Sequence, residues 1–114
     1  FMIRYAQINK IKWLINKIEK EMGILSINVE PFINRDYDLF KDYFYKGKSK
    51  IDRLLKDNQY SSLLIDDIYN DYRKAHSYLI EIYNHYINRV VNTSLRKIDN
   101  DIKEIMTNLS NLQQ

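Results

Sequence analysis

Apolar side chains recur along most of this chain at steps of three and four residues, the period that lines up one stripe on an α-helix. The first stripe starts at Tyr5 and runs through Ile8, Ile11, Ile15, Ile18 and Met22. Gly23 offers a natural stop, so a helix is predicted over 2–22. Residues 24–33 mix Ser26, Asn28 and Pro31 with Ile24, Leu25, Ile27 and Val29, and read as a connector. Asn34 or Asp36 can cap a short second helix that carries Tyr37, Phe40 and Phe44 on one face and ends at Gly47. Ser49 and Asp52 form a weak capping box ahead of Ile51, Leu54 and Leu55, which predicts a third short helix broken near Asn58.

Past Ser61 or Ser62 the period becomes strong again, through Ile65, Ile68, Tyr72, Ala75, Leu79, Ile82 and Tyr86. A further stripe, displaced around the helix, runs through Ile87, Val91, Leu95, Ile98, Ile102, Ile105, Leu109 and Leu112. Either one very long helix turns a new side to its partner near residues 87–91, or Asn92-Thr93-Ser94 marks a break where short polar side chains cap a new helix. The break is the favoured alternative. No segment alternates strictly between apolar and polar residues, so no sheet is expected. The predicted fold is all-α: a helical bundle in one domain, 1–114, with helix 1 over 1–22, a connector and short helices over 23–60, and a long helical region over 61–114.

The last stripe lies close to the end of the sequence and has one adhesive face, so something must cover it. Association through Ile98, Ile102, Ile105, Leu109 and Leu112, with a second copy or another subunit, is one expectation. Folding back onto helix 1, whose stripe has comparable length, is its competitor.

At 114 residues the chain suits one domain with one core. The absence of cysteine excludes disulfides, thiolate metal sites and thiol nucleophiles, and fits a reducing, intracellular and cytoplasmic setting. No apolar run approaches the roughly 20 residues that span a bilayer, so no membrane partner is expected. Met2 reads as the natural start and Phe1 as a remnant, unless the sequence is an internal fragment. Asn92-Thr93-Ser94 and Asn108-Leu109-Ser110 match the glycosylation acceptor pattern, which is expected by chance where no export signal precedes it.

Candidate chemistry is sparse. His76 and His85, nine residues apart on a helix, point to nearly opposite sides and cannot chelate one metal together. Glu81 can share a face with His85, but two such ligands make a poor zinc site. Asp67 and Asp71 share a face beside Asp66 and read mainly as a solvated acidic turn near a helix N-terminus. Neither Gly23 nor Gly47 lies in a phosphate-cradling loop, and the serines stand mainly at caps, without a base in sequence context. No enzyme activity, cofactor or metal is expected.

The net charge of +3 is too small to name a partner, so its distribution matters more. Lys46, Lys48, Lys50, Arg53 and Lys56 place five cations in eleven residues, opposed locally by Asp52, and form a candidate phosphate-contacting patch. Tyr43, Tyr45 and Tyr60 flank it and can stack on unpaired bases. The competing reading is an ordinary solvated lysine face. Tyr69, Tyr72, Tyr83 and Tyr86, from a set of ten tyrosines, lie on or beside the long stripe and suit half-wet protein contacts as well as a core rim. Arg89, where that stripe would continue, is expected to form an ion pair between helices or subunits.

Three features together resemble the α-helical domain of the GINS family of replication factors. They are the first amphipathic helix, the connector with Pro31-Phe32 leading into Tyr37 to Tyr43, and a long helix ending in Arg89-Val90-Val91-Asn92-Thr93-Ser94-Leu95. Tyr86 stands where that family usually has another arginine, and its small β-domain has no counterpart here. The resemblance implies a scaffold subunit of a DNA replication assembly. Two functional readings therefore leave the sequence: a non-catalytic protein-interaction or scaffold subunit, and a small helical nucleic-acid-binding protein.

Overall fold

The computed structural model describes residues 2–28, 35–57, 61–85 and 89–113. They form four helices: α1 (Met2–Asn28), α2 (Arg35–Asp57), α3 (Ser62–His85) and α4 (Arg89–Leu112). No strand occurs among the described residues. Ser61 starts α3 as its N-cap: its hydroxyl accepts from the Leu64 amide at 3.4 Å and its carbonyl from the Ile65 amide at 3.0 Å.

Contacts between neighbouring helices fix the topology. Lys17 meets Asp101 and Lys97 meets Glu21, so α1 and α4 run antiparallel. Lys50 meets Asp71 while Tyr43 meets Tyr78, which gives the same relation for α2 and α3. His76 pairs with Asp99, and Gln113 reaches Asp66, which sets α3 against α4 in the same sense. Lys12 with Asp52 and Lys48 with Glu19 join α1 to α2. The result is an up-down-up-down four-helix bundle measuring 43 × 20 × 20 Å, with α1–α4 and α2–α3 its most closely packed pairs.

The stripes read from the sequence line the core. Ile8, Ile11, Ile15, Ile18 and Met22 from α1 are buried, together with Leu14 and Leu25. From α3 the buried set is Ile65, Ile68, Tyr72, Ala75, Leu79 and Ile82. On α2, Tyr37, Phe40 and Phe44 stack in succession, and Phe44 meets the Tyr72 ring edge to face at 5.9 Å. The α1–α4 half is filled mainly by isoleucine and leucine, so the bundle has an aromatic side and an aliphatic side.

Several expectations need correction. Gly23 does not end α1, which continues to Asn28 because Leu25 adds one more buried contact. Gly47 does not separate two short helices: α2 runs through it without interruption. The long C-terminal region is divided, but α3 ends at His85 and α4 already begins at Arg89, so Asn92-Thr93-Ser94 lies inside α4. Val91, Ser94 and Leu95 are buried there, and that packing holds the polar triplet helical. Tyr5, read as the start of the first stripe, is exposed.

The association stripe is corrected as well. Ile98, Ile102, Ile105 and Leu109 are 0% exposed and Leu112 is 1% exposed, all within the chain's own core. The face is covered by the chain itself, as in the fold-back alternative, and α3 shares the task with α1.

Candidate functional site

Continuity of α2 through Gly47 decides what its cations do. At about 100° per residue, Lys46, Lys50 and Arg53 fall on one stripe, while Lys48 points to the opposite side. The groove between α2 and α3 collects that stripe. It is a shallow, open groove of about 610 Å³, lined by Tyr43, Lys46, Ser49, Lys50 and Arg53 from α2, with Asp71 and Lys74 from α3. Among the described residues, four cations thus face one carboxylate.

Those cations are not equivalent. Lys50 Nζ donates to Asp71 Oδ2 at 2.7 Å, and Asp71 is only 7% exposed. A buried carboxylate stripped of its partner is costly, so Lys50 is held in place. Lys46, Arg53 and Lys74 form no ion pair among the described residues. The ammonium groups of Lys46 and Lys74 lie 4.7 and 5.3 Å from the centre of the Tyr43 ring, a contact that stays weak at a wet surface. Tyr43 is itself stacked on Tyr78 at 5.8 Å with the planes 14° apart. Two ammonium groups therefore lie over an oriented aromatic ring, and Arg53 stands about 15 Å farther along α2.

Lys48 leaves this group. Its ammonium donates to both oxygens of Glu19 on α1, at 3.0 and 3.1 Å, and this hydrogen bonding holds its pKa above the usual lysine value. Tyr45 donates to the same carboxylate at 3.3 Å, so it too serves the α1–α2 seam. Lys56 lies in the last turn of α2, but its side chain falls outside the described residues, as do those of Leu55, Tyr60, His85, Tyr86 and Arg89. Pro31-Phe32, which carry part of the GINS-like pattern, are also outside them.

The other candidates are dispersed. His76 Nε2 pairs with Asp99 Oδ1 at 2.5 Å, and Asp99 also meets Lys103 at 3.1 Å. Asp66 accepts from Gln113, Asp71 turns into the α2–α3 groove, and Asp67 is exposed, so the three aspartates do not converge. Among the described residues, no group of three or more histidine, cysteine, aspartate or glutamate side chains could hold a metal ion. No helix of the described residues is long and apolar enough to cross a membrane.

A second basic groove, of about 450 Å³, lies between α1 and α4 and contains Lys17, Lys20 and Lys97. Its charges are largely spent within the fold, Lys17 on Asp101 and Lys97 on Glu21. Sequence reasoning missed Lys74 as a member of the α2–α3 site, since it lies 21 residues beyond Arg53 and joins the patch only when α3 packs on α2. Its only sequence signal was its position opposite the apolar stripe of α3. The chain matches no protein-family model, no curated protein and no solved structure at a significant level.

Proposed function

We propose that this chain is a non-catalytic nucleic-acid-binding bundle that grips phosphate groups in the α2–α3 groove. The observation carrying this reading is the convergence of Lys46, Arg53 and Lys74 around a groove where, among the described residues, they have no carboxylate partner and the one lining carboxylate is already engaged by Lys50. Ammonium and guanidinium groups that lack an internal partner gain charge-assisted hydrogen bonds when a phosphate arrives. The groove has no paired base and nucleophile, so it fits capture better than reaction.

Titrating a fluorescent oligonucleotide at several salt concentrations tests this. With three phosphate contacts, log K against log salt should fall with a slope of about −2 to −3, and replacing Lys46, Arg53 or Lys74 by Gln should flatten it by roughly 0.7–0.9 per site. Binding that ignores salt, or that survives all three replacements, refutes the groove. Tighter binding to an acidic peptide than to an oligonucleotide would move the function to a protein partner.

A scaffold role, including a GINS-like one, keeps a separate footing in the exposed rings of Tyr5, Trp13 and Tyr83. Trp13 is 50% exposed on α1, between Lys10 and Lys17. Loss of a co-purifying protein on Trp13→Ala is the result that would favour it.

A further inference from the structure

We infer that the α2–α3 groove takes an unpaired strand, with one base against the Tyr43 ring and neighbouring phosphates on Lys46, Arg53 and Lys74. This rests on the phosphate-binding reading above. The Tyr43 ring and the shape of the bundle favour a single strand over a duplex as the occupant, and the spacing of the cations is compatible with it.

Tyr43 is half-buried in a groove otherwise lined by polar and charged groups. Its ring is stacked on that of Tyr78, 5.8 Å away with the planes 14° apart, so it is oriented before any ligand arrives. A π-face flanked by two lysines suits a base whose own phosphates lie on either side, and paired bases cannot offer that face. Lys46 and Lys74 now rest near the ring. On binding, each exchanges a weak contact with the ring for a stronger one with a phosphate oxygen.

The spacing agrees. From Lys46 to Arg53 is seven residues, or about 10 Å along the axis of α2, a short stretch of one strand. Shape gives the third argument. Reading a duplex in its major groove takes a helix or ribbon that projects into it, whereas the described helices lie side by side in a bundle 20 Å across. What the bundle offers is a furrow between two packed helices, into which a strand can be laid.

Fluorescence anisotropy on the full chain, with a labelled 20-residue oligothymidylate at low salt, tests the inference. Unlabelled oligothymidylate and a mixed-sequence duplex of equal length serve as competitors. The expected result is at least a tenfold preference for the single strand, kept by Tyr43→Phe and reduced roughly tenfold by Tyr43→Leu. Circular dichroism establishes that each variant is folded. If the duplex competes as well as the single strand, or if folded Tyr43→Leu binds like the wild type, the single-strand inference fails while the phosphate groove stands. If neither nucleic acid binds, both fail. Should Tyr43→Leu not fold, the competition between strand and duplex decides alone.

Discussion

At the scale of single residues, Asp71 sets how much charge the groove can offer. It is buried and holds Lys50 at 2.7 Å, which occupies that ammonium within the fold. Asp71→Asn removes the competitor, so affinity for an oligonucleotide should rise several-fold and the salt slope should steepen by about 0.7. Unchanged affinity in a folded Asp71→Asn protein would mean that Lys50 faces no ligand. Buried phenols make a second residue-scale device. Burial pushes the Tyr37 pKa up to about 12 and raises that of Tyr72 as well. Above pH 10 the unfolded chain releases phenolic protons that the folded chain retains. Stability should therefore be complete below about pH 10 and decline as pH rises towards 12, with Tyr37 alone costing on the order of 2 kcal/mol. Urea midpoints measured across that range check this, and Tyr37→Phe should blunt the decline.

Among the elements, α1 and α2 each contain one glycine, and the two should respond to substitution in opposite directions. Nothing lies within 4 Å of a methyl group built at Gly23, which occupies an exposed position in α1. Gly23→Ala should stabilise the protein by about 0.5–1 kcal/mol, through helix propensity alone. A methyl group at Gly47 would lie 2.5 Å from Tyr72 Cε2, and that ring is buried against Phe44. Gly47→Ala should cost about 1–3 kcal/mol through overpacking, and thermal melts of the two variants should shift in opposite directions. The same glycine explains why the site was hard to read. Treated as a helix end, Gly47 divides the basic run into two unrelated pieces. Treated as the place where α2 makes room for Tyr72, it puts Lys46, Lys50 and Arg53 on one stripe and sends Lys48 to Glu19.

For the molecule as a whole, the last apolar stripe is covered from within the chain. All four helices contribute to one core, and Leu79, Ile105 and Leu109 are deep within it. Leu79→Ala should therefore cost about 2–5 kcal/mol, because neighbouring helices cannot collapse fully onto the cavity. Polar substitutions at Ile105 and Leu109 should diminish the helical signal itself. Light scattering that showed a fall in mass with the helical signal retained would return the stripe to an interface between subunits.

The sequence alone determined the helical class, the absence of hairpin patterning and most of the buried stripes, because a residue's position on a helix follows from local periodicity, although it counted the exposed Tyr5 and left out the buried Leu14 and Leu25. It also placed the basic run of α2. Tertiary structure decided which helices became neighbours, and with that the fate of every polar residue that periodicity leaves outside the core. Lys74 joined Lys46 and Arg53, Lys48 was drawn to Glu19, and the stripe from Ile98 to Leu112 was covered from within. The glycines follow the same division. Their intrinsic tendency is to end helices, but Leu25 beyond Gly23 and the Tyr72 ring opposite Gly47 are long-range contacts whose burial outweighs a local preference of about 1 kcal/mol.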